Sequence, residues 1–511
     1  MKKHSIPFCS FLIIEQRENM EYFFTFPYFI FLIFIFITLR CLIPGRRNPK
    51  LPPGPTPLPI IGNLFVLRHK PHQALAKLTK SYGPIMSLKL GQVTAVVFSS
   101  AETIQQVLQT HDNVLSYRFI PDAATVYDHA ELGFPWIPIS PNYKNHRKIF
   151  NNYLLSPKAL DATRNLRRLR IDKLLDNIRQ CAVNGEVVDI GRTLFSMALN
   201  LISYTIWSVD LVDVDSEMTK EFKTTLRGSL EEMGRPNISD FFPVLKKMDI
   251  QGVRRRTAVH FGKMLGLIDE MIDKRLKMQE SPDFTPKNDL LHYLLNMKED
   301  NSGIPLNRNQ IKHSIFVLFT ASSDTTGSVA QWIMAYLLKN PKVMSKAKEE
   351  LMEVIGKGNP IEESHMEKLP YLQAIIKEAL RMQSSLLIPR KAESEVTISG
   401  FTIPKGTQIL VNLWASCRDP NLWENPDVFM PERFLESKGR NFEFIPFGNG
   451  RRTCPGQGMG MRMLHLTVGS LIHFFDWKLE DGVTPENFNM DAKFGLTLVK
   501  AQPVRAIPLI I

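Results

Sequence analysis

The chain has 511 residues, of which 44% are hydrophobic and 22% are charged, a composition ordinary for a folded protein with a sizeable core. Its five cysteines are few and scattered, which excludes a disulfide framework or a zinc pattern. The formal net charge of +12 comes without a nucleic-acid recognition motif, so we expect a membrane surface or an acidic protein as partner and no nucleic acid.

An uncharged stretch near the N-terminus predicts a membrane anchor. Residues 22–39 are rich in Phe and Ile, and as a helix they would be about 27 Å long, nearly the thickness of a bilayer core. The basic residues that follow place the rest of the chain in the cytosol by the positive-inside rule. A cleaved signal peptide is the main alternative, but a proline cluster follows where a cleavage site would stand. We expect residues 1–50 to form an extension, the anchor and a basic linker, and residues 51–511 to form one domain.

The remainder of the chain is mostly helical in its patterning. Prolines between 51 and 59 predict a stiff link, and alternating apolar residues from 84 to 100 predict a short hairpin. Residues 101–380 are typical of amphipathic helices broken at prolines. Strand-like pieces follow at 395–399 and 408–412, which favours a mainly α domain with small β-sheets.

The longest predicted helix runs from about Asn309 to Leu338. Its apolar residues recur at spacings of three and four, and its opposite side is apolar too, so we expect it to be buried nearly all round. Ser322, Asp324 and Thr325 interrupt this pattern. In the structural interpretation the hydroxyls bond back to carbonyls one turn earlier. In the functional one, an acid beside alcohols supplies protons to a bound ligand.

Glu378 and Arg381 stand three residues apart on a predicted helix, and Arg433 follows in a Pro-Glu-Arg-Phe segment. A carboxylate buried between two guanidinium groups is costly unless it is fully hydrogen-bonded. We therefore interpret this set as fixing geometry more than adding stability.

The segment 447–456, Phe-Gly-Asn-Gly-Arg-Arg-Thr-Cys-Pro-Gly, predicts a metal site. Cysteine ligates metals as the thiolate, and we expect Arg451 and Arg452 to lower its pKa. Glycines allow a tight turn close to a flat ligand, and a helix from Met459 to Phe475 would direct its positive dipole at the sulfur. A buried structural cysteine is one alternative. A dinucleotide loop is another, but no strand precedes this segment. We interpret Cys454 as a thiolate ligand of haem iron.

With these segments in this order, the chain resembles the cytochrome P450 superfamily of haem-thiolate monooxygenases over essentially its whole length. The resemblance rests on the proline-rich link, residues 321–326, the set Glu378, Arg381 and Arg433, and the cysteine loop. It implies a single large helical domain that holds haem b, with Cys454 as the axial ligand. It also implies that Asp324 and Thr325 pass protons to dioxygen, with Ser322 where the family usually has glycine.

The same resemblance assigns further residues. The positions matching those that bind the cofactor are Arg118, Arg147, Arg390 and Arg452, which would hold the haem propionates, and Phe447. The positions matching the substrate pocket are apolar and favour a lipophilic substrate: Phe316, Leu386, Leu387 and Leu496. Segments 236–245, 251–256 and 493–497 are similar to plant geraniol hydroxylases and ferruginol synthases, which implies a terpenoid substrate.

The resemblance also implies partners and a location. NADPH–cytochrome P450 reductase would deliver electrons from NADPH on the basic face around Cys454, and the protein would lie in the endoplasmic reticulum membrane with its catalytic domain in the cytosol. Two other functions stay open. One is a haem-thiolate isomerase or dehydratase that needs no reductase. The other is a catalytically impaired haem protein, suggested by Ser322 and by a loop before Pro389 that is shorter than the family pattern.

Overall fold

The computed structural model describes residues 31–32, 35, 50–68, 70–211, 217–299, 303–383, 387–435 and 442–511. The predicted anchor at 22–39 lies almost entirely outside the described residues, as does Leu386. Among the helices of the described part, none has the length and apolar character that crossing a bilayer requires.

Helices dominate the described chain, which confirms the predicted fold class. The α-helices are α1 Pro71–Tyr82, α2 Ala101–Gln105, α3 Asp112–Leu115, α4 His129–Leu132, α5 Pro141–Phe150, α6 Pro157–Ala162, α7 Arg164–Asn184, α8 Ile190–Trp207, α9 Glu217–Met233, α10 Val253–Gln279, α11 Leu290–Asn296, α12 Arg308–Lys339, α13 Pro341–Ile355, α14 Pro370–Met382, α15 Leu413–Ser416 and α16 Gln457–Phe474.

The strands form small sheets. They are β1 Ile85–Leu90, β2 Val93–Phe98, β3 Val188–Asp189, β4 Leu387–Lys391, β5 Val396–Ile398, β6 Phe401–Ile403, β7 Gln408–Asn412, β8 Phe475–Leu479, β9 Ala492–Phe494, β10 Leu498–Lys500 and β11 Arg505–Ile510. The largest sheet has the order β1-β2-β7-β4, in which β1 and β2 form the predicted hairpin and β2 runs parallel to β7. Two-stranded sheets β9-β10 and β5-β6 and the three-stranded sheet β3-β11-β8 complete the set.

Helix α12 is the structural axis of the domain, and its bounds lie within one residue of the prediction. Asn307 begins it with a capping box, in which its side chain accepts from Gln310 N–H and the Gln310 side chain accepts from Asn307 N–H. Residues of α12 belong to two large hydrophobic clusters, one shared with α14 and α16 and the other with α8 and α10. The middle of α12 is thereby fixed between the two halves of the core.

Candidate active site

The cysteine loop is a glycine-dependent turn that leads directly into α16. Gly448 and Gly450 have φ values of 70° and 74°, a left-handed conformation that favours glycine. A Cβ atom on Gly450 would stand 2.2 Å from the Leu108 carbonyl oxygen, so a side chain there has no room. The Cys454 N–H closes the turn by donating to the Phe447 carbonyl oxygen at 2.9 Å. The predicted arrangement, a cysteine on a tight turn just before a helix, is present.

Side chains from the preceding helices hold this loop in place. On α5, the Tyr143 hydroxyl donates to the Arg451 carbonyl at 2.8 Å, and Arg147 Nη1 donates to the Thr453 carbonyl at 3.0 Å. From α3, Asp112 Oδ2 accepts from Arg451 N–H at 2.9 Å. No sequence pattern indicated Asp112, and Tyr143 stood out only as a departure from the family pattern beside Arg147, because these contacts join positions more than 300 residues apart.

The electrostatics around Cys454 differ from our expectation. The residue is exposed by surface area, yet surrounding protein atoms desolvate its thiol and raise its pKa. The Gly456 N–H and the Arg147 guanidinium oppose this rise. We had expected Arg451 and Arg452 to lower the pKa, but Arg452 points its nitrogens at carbonyls of the segment 116–137. In this environment a thiolate needs a further positive partner, such as a metal ion.

The predicted propionate cations form a cluster. Arg390 Nη1 and Arg452 Nε both donate to the Ser116 carbonyl, at 3.3 and 3.1 Å. Desolvation, with the charge of Arg452, lowers the pKa of Arg118 to about 10, and desolvation, with the charges of Arg118 and Arg452, lowers the pKa of Arg390 to about 9. Arginines with such pKa values remain charged at neutral pH. Burial lowers the pKa of Arg452 and the charge of Arg147 lowers it further, so Arg147 is linked to the cluster through Arg452.

Among the described residues the cluster has no carboxylate in direct contact with Arg118, Arg390 or Arg452, although the charge of Asp112 acts on Arg390 and Arg452. The Nε atoms of Arg118 and Arg390 are buried without a hydrogen-bond partner, and no ion pair joins Arg118, Arg390 or Arg452 to a carboxylate of the described residues. Buried charge without a partner is costly. Two carboxylates of a haem would supply the missing acceptors, so these residues suit the expected cofactor.

The middle of α12 presents an accessible strip in place of the buried surface that we predicted. Ala321 and Thr325, one turn apart, are exposed, and residues 320, 322, 324 and 326 beside them are half-buried, whereas the two ends of the helix core are mostly buried. The Thr325 hydroxyl donates to the Ala321 carbonyl at 2.6 Å, as the structural interpretation anticipated. The Ser322 hydroxyl makes no hydrogen bond with any residue that the structure describes. It remains available to a ligand.

Asp324 has a partner that the sequence did not reveal. The Thr497 hydroxyl donates to Asp324 Oδ2 across 173 positions of sequence. Burial raises the pKa of Asp324, while the Thr497 hydrogen bond and the charge of Arg227 oppose the rise. A carboxyl with a raised pKa holds its proton more readily than a surface aspartate, as a proton donor requires.

Glu378, Arg381 and Arg433 form the compact buried set that their spacing suggested. Arg381 donates two hydrogen bonds of 2.8 Å to the Glu378 carboxylate, one to each oxygen, and Arg433 Nε donates to the same carboxylate at 3.2 Å. The remaining nitrogens donate to backbone carbonyls of Cys417 and of residues 424–428. The set therefore fastens α14 to the segment that precedes the cysteine loop.

The predicted pocket residues lie in different surroundings. Phe316 is only 1% exposed and packs against His129 and Phe261, so it belongs to the layer behind any accessible surface. Leu387 is half-buried at the start of β4, and Leu496 is 43% exposed in the turn between β9 and β10. Leu386 lies outside the described residues.

Comparisons with known proteins agree on one family. A family model, Cytochrome P450, matches residues 52–504. The chain is 44% identical over 470 residues to geraniol 8-hydroxylase of Catharanthus roseus, covering 91% of this chain and 95% of that protein. It is also 44% identical over 488 residues to drimenol monooxygenase of Persicaria hydropiper, covering 94% and 97%.

A solved structure has the same fold. A zebra fish cytochrome P450 with progesterone aligns with a TM-score of 0.73 and 22% identity, covering 86% of this chain and 99% of that one. At this identity the likeness concerns the fold alone.

Proposed function

Since the chain belongs to the cytochrome P450 family and is an oxidoreductase of the monooxygenase type, we propose that it hydroxylates a terpenoid, with electrons from NADPH through a separate reductase. The observation that carries this proposal is the combination of the cysteine loop with the unpaired arginine cluster beside it. The relatives named for geraniol and drimenol oxidation support a terpenoid substrate.

Five residues of the chain would bind the haem. Cys454 would ligate the iron, and Arg118, Arg147, Arg390 and Arg452 would bind the propionates. Bound haem supplies the oxidising chemistry and the electron reservoir. The protein holds the cofactor in one orientation, limits water around it and supplies protons from its own side chains.

Proton supply would come from α12. Asp324 has a raised pKa and can give a proton from its carboxyl, and Thr325 stands next to it on the exposed strip of the helix. The Ser322 hydroxyl, which has no partner in the described chain, adds a second alcohol. We propose that Ser322 takes part in the relay and does not impair it.

The docking site for a reductase would be the groove between α5 and the cysteine loop. This groove has a volume of about 640 Å³ and is lined by Lys144, Arg147 and Arg451 among others. Positive charge so close to Cys454 suits an acidic flavoprotein, and the attraction should weaken as salt is added.

We further propose that the protein is anchored in the endoplasmic reticulum membrane by residues 22–39, with residues 51–511 as the cytosolic catalytic domain. Exposed apolar side chains support this at two segments, Leu58, Ile60 and Phe65 after the linker and Val244, Met248 and Ile250 before α10. The segments meet at the β1–β2 turn, where Gly91 N–H donates to the Ile61 carbonyl and Gln92 N–H donates to the Phe241 carbonyl. Apolar residues gathered near an anchor suit contact with lipid.

The test is reconstitution with a reductase and NADPH, with geraniol and drimenol as substrates and mass spectrometry of the products. We expect NADPH-dependent incorporation of one oxygen atom. The ferrous carbon monoxide difference spectrum should show the thiolate-type Soret band, and Cys454→Ser should abolish it. Turnover of a hydroperoxide without NADPH would favour the isomerase instead. Consumption of NADPH with release of hydrogen peroxide alone would indicate an impaired enzyme.

A further inference from the structure

The turn between β9 and β10, residues 495–497, and Leu498, the first residue of β10, are joined to α12 by three side-chain hydrogen bonds. The Thr497 hydroxyl donates to Asp324 Oδ2, the Ser328 hydroxyl donates to the Leu498 carbonyl at 3.2 Å, and Trp332 Nε1 donates to the same carbonyl at 2.8 Å. The donors and acceptors on α12 lie at spacings of four, so they share one face of the helix. The turn therefore has a fixed height along α12, with Thr497 at the level of the acid.

The opposite side of the turn is also restricted. Gly234, at the end of α9, approaches so closely that a Cβ atom there would be 2.5 Å from the Leu496 backbone nitrogen. Because the turn is hydrogen-bonded to α12 and lies against Gly234, Thr497 has little freedom to move away from Asp324. The hydrogen bond is thus a built part of the fold.

The bond has a direct consequence for the carboxyl group. A hydroxyl that donates to Oδ2 favours the ionised form and fixes the plane of the carboxyl. The charge of Arg227 on α9 acts in the same direction, and burial acts against both. Thr325, the neighbouring alcohol, is already committed to the Ala321 carbonyl. With Oδ2 engaged by Thr497, Oδ1 is the carboxyl oxygen left for proton transfer.

We propose that Thr497 is a positioning residue for proton delivery: its hydroxyl holds Asp324 Oδ2 so that Oδ1 gives and takes the protons. This inference rests on the proposed role of Asp324. It also joins proton delivery to the turn that carries the exposed Leu496, one of the expected substrate contacts.

The chain offers a matched set of variants for the holoenzyme. Thr497→Val removes the hydroxyl with little change of shape, Thr497→Ser retains it, and Ser328→Ala deletes another bond between the same turn and the same helix without touching Asp324. Two quantities are measured for each. One is product formed per NADPH, and the other is the pH midpoint of the Asp324 carboxyl band in the infrared spectrum, identified by its loss in Asp324→Asn.

We expect Thr497→Val to lower product per NADPH by roughly twofold to tenfold and to raise the infrared midpoint by about one pH unit, as for the loss of one hydrogen bond to a carboxylate. Thr497→Ser should restore both values, and Ser328→Ala should leave both unchanged. Thr497→Ala replaces the valine variant if valine fails to give haem-loaded protein.

Two results would overturn the inference: unchanged values in Thr497→Val, or equal losses in Thr497→Val and Ser328→Ala, which would make Thr497 a structural anchor only. Wild-type coupling in Asp324→Asn would instead overturn the proposed role of the acid. In that case the infrared midpoint still reports whether Thr497 controls the carboxyl.

Discussion

Replacing Arg390 by glutamine distinguishes two effects of the arginine cluster: its destabilisation of the haem-free fold and its contribution to haem binding. Arg390 is 2% exposed, its Nε has no partner, and its pKa is lowered to about 9 by burial first and then by Arg118 and Arg452. A cation whose pKa in the folded protein lies below its unfolded value destabilises the fold while it is charged, and this cost is complete below about pH 9. The lowering of the Arg390 pKa from 12.5 to about 9 corresponds to a loss of at most about 5 kcal/mol in the free energy of unfolding.

A carboxylate that binds there removes this cost and gains charge-assisted hydrogen bonds of about 1.5–3 kcal/mol. We therefore expect Arg390→Gln to release haem roughly tenfold to a hundredfold faster than the wild type. Once haem has been removed, the variant should unfold at a temperature equal to or above that of the wild type. The opposite signs of the two effects distinguish a ligand-binding arginine from a structural one.

The assay is transfer of haem to a haem-free globin acceptor, followed by absorbance, together with thermal unfolding of the haem-free protein. Lys391→Gln is the matched control, because Lys391 is the next residue of β4 and is exposed, so it removes the same charge away from the cluster. Equal haem release from Arg390→Gln and wild type would refute the assignment. A large loss of stability in the haem-free variant would show that Arg390 serves the fold.

Three further predictions concern other positions. Glu378→Gln leaves two buried guanidinium groups without their carboxylate and should destabilise the protein by about 3–5 kcal/mol. The measurement is the denaturation midpoint, with Glu378→Asp, which keeps the charge, as the control. Gly450→Ala forces a Cβ atom against the Leu108 carbonyl and should abolish haem loading, whereas Gly482→Ala, at another left-handed glycine with open space around it, should retain it. Burial, together with the charge of Asp122, raises the pKa of Asp240 to about 6, so its contribution to stability is complete below about pH 4 and is lost as the pH rises through 6. Relative to the wild type, the free energy of unfolding of Asp240→Asn should increase by up to about 3 kcal/mol as the pH rises from 4 to 7. If the unfolding free energies of the two proteins change in parallel over this range, the reasoning is wrong.

Patterns along the chain predicted the elements well where local rules decide the structure. The apolar periodicity gave α12 to within a residue at each end, since capping at Asn307 and the Asn340-Pro341 boundary are local signals. The hairpin β1-β2 followed from alternation in the same way. Periodicity failed for the surface of α12, because an apolar residue is equally suited to a packed core and to the wall of a ligand site. The exposure of Ala321 and Thr325 could not be read from it.

The electrostatic expectations failed for a related reason. Sequence proximity suggested that Arg452 would act on Cys454, but Arg452 instead donates to carbonyls of the segment 116–137. The charge that acts on the thiol is that of Arg147, far away in sequence. Charge acts through space over a few ångströms, and neighbours in sequence on a tight turn point in different directions. The same limit hid Thr497 from the sequence. Its partnership with Asp324 exists because the β9–β10 turn lies against α12, so the environment of the acid depends on two elements whose contact no local pattern encodes.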